Sequence, residues 1–178
     1  MSPLYLTKPC IMKQISLFIS FLILTSNLFA IKITNLADIN GNELQVTEID
    51  LSNKGLIEFP EKILACKNLQ LLNLSENGFV DIPFELTQLE HLKSLDLSEN
   101  HNLSPIDVEV LLDSAVFQLE ELNLSDCAMF YLPDGIGKQR QLKHLDISDN
   151  YIRVLPYRMQ LMTKIETLDL SNNKLINI

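Results

Sequence analysis

The side chains that could do chemistry in this sequence are carboxylates that return at a regular spacing. Aspartate or asparagine, with serine two residues later, recurs at Asp50, Asn73, Asp96, Asn123, Asp146 and Asp169. A row of carboxylates attracts a cation or a basic protein surface. Outward carboxylates on a flat strand rarely converge on one ion, so the sequence predicts neither a metal site nor a cofactor here.

A catalytic role would need a further group beside these carboxylates. His144 is expected on the same surface as Glu121 and Asp146, where a general base or a zinc ligand could act. A single histidine beside carboxylates is more often a solvated surface residue, and His91 and His101 are distant in sequence. The sequence contains no nucleophile motif, phosphate-binding loop or paired-cysteine metal site. We therefore predict a non-catalytic protein.

Composition narrows the remaining classes of function. The 178 residues suffice for one domain with a targeting segment, and 47% hydrophobic residues with 21% charged residues exclude a disordered chain. Lysine and arginine number 14 against 23 aspartates and glutamates, which gives a net charge of -9. A field of this sign repels phosphate groups and anionic lipids, so nucleic acid and membrane surfaces are not expected partners.

An internal repeat positions these residues. A pattern with leucine-like residues at its first, fourth and sixth positions recurs every 23 residues, with one interval of 27. Its six starts are Val46, Leu69, Leu92, Leu119, Leu142 and Ile165. Apolar and polar residues alternate within each unit, which predicts a strand with one buried and one solvated face. Strands of successive units would stack into one parallel sheet over a continuous core.

The repeat resembles the leucine-rich repeat superfamily, in the 23-residue class with an LPxxI signature, of the type found in exported bacterial proteins. The signature appears as FPEKI, IPFEL, LPDGI and LPYRM, which begin at Phe59, Ile82, Leu132 and Leu155. The resemblance covers residues 46–178, as five full units and a partial sixth. It implies an α/β solenoid, a right-handed superhelix with a parallel concave sheet, convex loops and short helical turns.

The resemblance also implies an asparagine ladder, in which one asparagine per unit satisfies backbone groups where the chain turns inward. Its members here are Asn77, Asn100, Asn150 and Asn173. Lys54 and Cys127 take this position in the first and fourth units, and we expect Cys127 to be a buried substitute. Because whole units separate Cys127 from Cys66, we predict two free, buried thiols rather than a disulfide.

The longer unit and the two ends of the repeat region need separate structures. Ser104 followed by proline, with Asp107 in the first turn, predicts a short convex helix over residues 105–114. Residues 31–45 are predicted to form an N-terminal cap that contains a short helical turn. An open stack exposes its last strand, so the strand around residues 168–170 is expected to be partly bare.

The first thirty residues have the profile of a secretory signal peptide. Lys8 and Lys13 precede an apolar run, and Ala30 supplies a small residue for cleavage. A membrane anchor is the less favoured alternative, because the run is short for a span and contains serine, threonine and asparagine. We predict a signal peptide over residues 1–30, with Met12 as an alternative start. The protein is then secreted or extracytoplasmic, without integral membrane association after cleavage.

Two surfaces of the predicted solenoid are candidates for binding a protein partner. The acidic concave face carries Asp50, Asp96, Glu121, His144, Asp146 and Asp169. The edge formed by the loops that leave the strands carries Phe130, Tyr131, Tyr151 and Arg153. Aromatic residues together with arginine are typical of interface hot spots.

The sequence therefore predicts a secreted, non-catalytic scaffold that binds a protein partner with a basic patch, through the concave acidic face, the loop edge or both. Resemblance to recognition scaffolds of the same class supports this function by analogy. The alternative is a structural module that assembles with itself, as a homodimer that pairs through an uncapped C-terminal edge.

Overall fold

The repeats fold into a single parallel sheet. The computed structural model describes residues 30–114 and 118–176, and in this part of the chain seven strands pair in chain order. They are β1 (Ile31–Ile33), β2 (Val46–Asp50), β3 (Leu71–Asn73), β4 (Ser94–Asp96), β5 (Glu121–Asn123), β6 (His144–Asp146) and β7 (Thr167–Asp169). The predicted parallel-sheet solenoid is confirmed. The predicted signal peptide, apart from Ala30, lies outside the described residues.

The register of the sheet follows the repeat period. Leu72 on β3 pairs with Leu95 on β4, and Leu95 pairs with Leu122 on β5. The first pair is separated by the ordinary interval of the repeat and the second by the longer one. The register survives the four extra residues because they lie on the convex side, away from the strands. Residues 23 apart in the chain thus become lateral neighbours.

The core consists of the inward side chains of successive units. Leu74 and Leu97, which follow β3 and β4, are fully buried, as are Leu124 and Ile147 in the later units. Burial of each such side chain stabilises the fold by about 1.5–3 kcal/mol. Leu168 on β7 takes the position of Leu145 on β6, which is buried, yet it is 40% exposed because no described unit stacks on it. The predicted bare strand around residues 168–170 is confirmed.

The convex side consists of short helical turns. Four 3-10 helices, Glu61–Ala65, Phe84–Gln88, Asp134–Lys138 and Tyr157–Leu161, each follow a proline at their N-cap. The third unit instead contains an α-helix, α1 (Pro105–Leu112), with Ser104 at its N-cap. The prediction of a helix there is confirmed, although α1 ends two residues earlier than predicted. Proline fits the first turn because its missing N–H would be unpaired there.

The asparagine ladder is present as the resemblance implied. The buried amide of Asn100 donates hydrogen bonds to Leu74 O and Leu97 O, and its carbonyl oxygen accepts one from the Phe79 N–H. In the fourth unit the Cys127 thiol takes over part of this role, with its Sγ 3.1 Å from Leu97 O. The bonds join each unit to the preceding one, which fixes where every strand ends.

Both cysteines of the described residues are free and buried, as predicted. Burial raises the pKa of the Cys127 thiol to about 12, and burial likewise raises the pKa of Cys66. These thiols therefore stay protonated at neutral pH, and they pack as small apolar side chains.

The segment before the first repeat adds a strand to the sheet. β1 pairs with β2 and covers the edge that β2 would otherwise expose. A 3-10 helix, Leu36–Asp38, follows it, and the side chain of Asn35 accepts a hydrogen bond from the Ala37 N–H at 2.9 Å. The helical turn predicted in this segment is thus present. β1 was not predicted from the sequence, because its three residues lie outside the repeat pattern.

Candidate protein-binding surfaces

The aspartates of the concave face form a continuous row, here called the Asp row. Its members are Asp50, Asn73, Asp96, Asn123, Asp146 and Asp169. In each unit one side-chain oxygen accepts a hydrogen bond from the N–H of the serine two residues later, as for Asp146 and Ser148 at 2.9 Å. This Asx turn bends the chain out of the strand. Each member therefore has a structural bond on one oxygen, and in the aspartates the second carboxylate oxygen is not used by the turn.

The two ends of the Asp row differ in charge compensation. At the N-terminal end, Lys32 on β1 forms an ion pair with Glu48 and lies 3.7 Å from Asp50. The pKa of Asp50 is held below its usual value, chiefly by the hydrogen bond from the Ser52 hydroxyl. No ion pair to Asp96, Glu121, Asp146 or Asp169 occurs within the described ranges. The uncompensated negative charge is thus concentrated on β4–β7.

The nearest lysines on the neighbouring row do not reach the Asp row. Lys93 and Lys143 flank Glu120, with Nζ to Oε distances of 3.1 and 2.6 Å. The Lys143 and Lys93 ammonium groups together hold the pKa of Glu120 low, and Glu120 raises that of Lys143. Lys93, Glu120 and Lys143 lie just before β4, β5 and β6. Because these lysines pair with Glu120, they do not neutralise the carboxylates of the Asp row, and the concave face stays acidic.

The concave face of β4–β7 is a shallow groove of about 700 Å³. It brings together five of the predicted site residues, namely Asp96, Glu121, His144, Asp146 and Asp169. Asp50 does not line it, because it lies on β2, farther along the sheet. His144 lies beside Glu121 in the sheet register, and its Nδ1 is 2.8 Å from the Thr167 hydroxyl.

The sequence prediction missed other residues that line this groove. They are Ser94, Leu95, Leu122, Leu145, Thr167 and Leu168, whereas Asn123, which also lines it, was already part of the repeating row of aspartates and asparagines. Ser94 and Thr167 occupy the same position of their units as Glu121 and His144, and that position projects from the strand on the solvated side. The period-two alternation of the strand was the signal that could have identified them.

The loop edge is a second exposed surface. The rings of Phe130 and Tyr151 stack, with centroids 5.5 Å apart and planes inclined by 21°. Phe130 is 70% exposed, and Tyr131 and Arg153 beside it are also exposed. Tyr157, which the prediction did not include, is exposed as well. All four predicted edge residues are thus on the surface, and stacking holds two of them in one orientation.

Metal-binding clusters and membrane-spanning helices are both absent from the described residues. In residues 30–114 and 118–176, no three His, Cys, Asp or Glu side chains are grouped so that they could hold a metal ion. No helix of the same ranges has the length and apolar character needed to cross a bilayer.

Three sequence models of leucine-rich repeats match the chain, over residues 68–89, 88–112 and 117–175. No curated protein sequence matches it significantly. The matched ranges contain β3 to β7 and the groove that they line.

Solved structures share the same fold. A leucine-rich repeat protein of Leptospira interrogans is 32% identical and superposes with a TM-score of 0.71, over 83% of this chain and 37% of that protein. The functional domain of InlJ from Listeria monocytogenes, which includes a cysteine ladder, is 22% identical with a TM-score of 0.61, over 83% of this chain and 29% of that one. The chain thus spans well under half of either bacterial protein.

A plant protein is also similar in structure. The BIR2 ectodomain from Arabidopsis thaliana is 27% identical with a TM-score of 0.54, over 74% of this chain and 70% of that ectodomain. Leucine-rich repeats generally serve as non-catalytic scaffolds that bind proteins. From the repeat period, the asparagine ladder, the parallel sheet and these matches, the chain belongs to the leucine-rich repeat superfamily.

Proposed function

We propose that this chain is a secreted, non-catalytic scaffold that binds a basic surface of another protein in the groove of β4–β7. The observation that carries the proposal is the set of four carboxylates in that groove, at Asp96, Glu121, Asp146 and Asp169, none of which forms an ion pair in the described structure. The cation that interacts with Glu121, Lys143, is paired with Glu120. Like charges held side by side repel each other, and a cationic partner relieves that repulsion.

The loop edge is proposed to add apolar contact to this electrostatic attraction. Phe130 and Tyr151 are already stacked, so less side-chain entropy is lost when a partner covers them. Secretion is supported by the signal-like leader over residues 1–30. We propose that residues 31–45 cap the first repeat, since β1 pairs along β2.

The proposal can be tested by removing charge without disturbing the Asx turns. Asn73 and Asn123 occupy the Asp row and accept the same serine N–H bonds as the aspartates. The triple variant Asp96→Asn, Asp146→Asn, Asp169→Asn should therefore keep its fold. Calorimetric titration with octalysine, a probe for a basic surface, should show an affinity at least about tenfold lower than that of the unaltered chain.

The matched control is Asp50→Asn, because Asp50 has the same turn but lies next to Lys32. Its affinity for octalysine should stay within about twofold. Raising the ionic strength to about 1 M, where the Debye length falls to about 3 Å, should abolish binding by the unaltered chain. Equal affinity of the triple variant and the unaltered chain would refute the proposed groove.

Self-assembly is the second candidate function, and the exposure of β7 favours it. All three strand residues are exposed, and Leu168 is among them. A bare parallel edge can pair with a second copy. Light scattering over a concentration series tests this alternative: a rising mass supports self-assembly, and a constant monomer mass contradicts it.

A further inference from the structure

Helix α1 is apolar on both of its sides. Val108, Leu111 and Leu112 are buried against the core, with exposed fractions of 1% or less. On the opposite side, Ile106 is 64% exposed and Val110 is 45% exposed. Asp107 and Glu109 lie among these exposed apolar side chains, and exposed apolar patches bordered by polar residues mark interaction sites. The outer side of α1 therefore has the composition of a contact surface.

The outer side of α1 is one wall of a groove on the convex face, here called the convex groove. The second wall comes from Phe84, at the start of the 3-10 helix Phe84–Gln88, and this ring is 55% exposed. The groove has a volume of about 610 Å³, and Glu109, Asp113 and Ser114 complete its lining. It is separate from the concave groove, whose lining residues all belong to the strands β4–β7.

The wall formed by α1 is held in place before any partner binds. The buried Gln139 donates a hydrogen bond from Nε2 to Leu112 O at 2.9 Å, and its Oε1 accepts one from the Leu119 N–H. Lys138 forms an ion pair with Asp113, with Nζ and Oδ1 2.7 Å apart. A Cβ on Gly135 would lie 3.0 Å from Leu112 C, so glycine permits this close approach. A groove with fixed walls loses little entropy on binding.

The carboxylates around the convex groove favour a partner with positive charge. Lys138 is paired with Asp113. Glu109 lines the groove, and Glu85 and Asp107 each adjoin one of its lining residues in the chain; none of the three has an ion-pair partner among the described residues. The rim is therefore acidic. A second copy of this chain, with a net charge of -9, would bring carboxylates against carboxylates.

We propose that the convex groove docks an amphipathic helix of another protein, with apolar side chains in the groove and lysine or arginine at its rim. A helix fits because both walls are helical and a third helix can lay its ridge between them. The apolar side chains would contact Phe84, Ile106 and Val110, and the cations would approach Glu109. This surface is additional to the proposed concave site and does not depend on it.

The test uses a fluorescent amphipathic peptide of leucine and lysine as the probe. To keep the peptide off the concave face, fluorescence anisotropy is measured with the full chain carrying Asp96→Asn, Asp146→Asn and Asp169→Asn. Saturable binding is expected. Adding Ile106→Gln and Val110→Gln should weaken it by at least about tenfold. The matched control Leu44→Gln, at an apolar residue 60% exposed elsewhere, should leave it unchanged.

A second peptide separates charge from apolarity. The same helix with glutamate in place of lysine should bind at least about tenfold more weakly, because the rim is acidic. Equal binding of the two peptides, or binding that Ile106→Gln with Val110→Gln leaves intact, would overturn the proposal. So would no binding of the lysine peptide at all.

Two further results would show that something else covers the convex groove. If Ile106→Gln with Val110→Gln lowered the melting temperature by more than about 5 °C, these side chains would be packed within the chain itself. If sedimentation showed a dimer of the unaltered chain that the same substitutions dissociate, the occupant would be a second copy. Either result contradicts the proposal. A melting temperature within about 2 °C and an unchanged monomer support it.

Discussion

Four of the six repeats carry two polar side chains where the chain leaves its strand, a ladder asparagine and a member of the Asp row, and the two differ in how many of their polar atoms are bonded within the fold. In the asparagine ladder, Asn100 and Asn150 are buried, and both their amide and their carbonyl groups bond to backbone. In the Asp row, Asp96 and Asp146 are partly exposed and bond through one oxygen to a serine. The polar groups of the ladder asparagines all bond within the fold, whereas each aspartate of the Asp row keeps one carboxylate oxygen that the turn does not use.

The comparison separates structural from functional residue types within one motif. At the buried position the asparagine amide both donates to carbonyls and accepts from N–H groups, which an ionised aspartate, an acceptor only, cannot do. At the outer position aspartate and asparagine make the same serine bond, so the choice between them changes the charge of the surface and not the turn. Charge at this position can therefore vary between units at little cost to stability.

The largest expected effect comes from the ladder. Asn100→Ala leaves Leu74 O, Leu97 O and the Phe79 N–H without their partner inside the core. We expect the free energy of unfolding to fall by about 3 kcal/mol in urea denaturation. Asn102→Ala, at an exposed asparagine two residues later, is the control and should change it by less than about 0.5 kcal/mol. Similar losses in both variants would contradict the structural role given to the asparagine ladder.

A smaller effect is expected in the Asp row, and it should depend on the substitution. Asp146→Ala removes the acceptor of the Ser148 N–H and hydroxyl, at 2.9 and 2.7 Å. It should cost about 1 kcal/mol of unfolding free energy. Asp146→Asn keeps an acceptor oxygen and should stay within about 0.5 kcal/mol of the unaltered chain, measured by the same urea titration. A loss of equal size in both would show that charge, not the turn, matters there.

Lys32→Gln should sharpen the difference between the ends of the Asp row. It removes the ion pair with Glu48 and the neighbouring cation of Asp50. Because the pair is exposed, unfolding free energy should change by no more than about 0.5 kcal/mol. Affinity for octalysine should rise by about threefold, as the acidic face then extends to β2. Lys67→Gln, on the convex side, is the control, and an equal rise there would indicate a general charge effect.

The smallest expected effect is on the pH dependence of stability. The Ser52 hydroxyl holds the pKa of Asp50 below its usual value, so in acid the unfolded chain binds more protons than the folded one. The stabilisation is present above the unfolded pKa of about 3.9 and is lost as pH falls through the lower folded pKa. Ser52→Ala should flatten the dependence of unfolding free energy on pH below about pH 4. An unchanged slope would contradict the role given to this hydroxyl.

The sequence predicted the parts of the fold that the repeat period controls. Strand positions follow from residues that recur every 23 positions, and the ladder asparagines from the resemblance. The helix α1 was predicted from the one longer interval and from Ser104 followed by proline. The Lys32 ion pair was not foreseen, because it requires β1, which lies outside the repeat. The binding roles of both surfaces remain proposals, because exposure and charge define a surface without naming its partner.

The structural effect of residues that depart from the repeat pattern could not be predicted either. Gln139 occupies a position that is apolar in other units, as at Leu89 and Met162, yet it is buried because α1 offers its carbonyl nearby. Ala128 has a φ of 54°, a conformation taken by Gly55 in the first unit. Gly55 and Ala128 directly follow Lys54 and Cys127, the two positions where asparagine is missing from the ladder, so the loss of that side chain changes the backbone beside it.

The central claim is that stacking of units brings uncompensated carboxylates together on the concave face of β4–β7. Amide chemical shifts of the isotope-labelled chain, followed during titration with octalysine, test it most directly. The account predicts shift changes clustered at residues 94–98, 121–125, 144–148 and 167–171, with little change near Asp50. Changes spread evenly over the surface, or confined to the convex side, would contradict it.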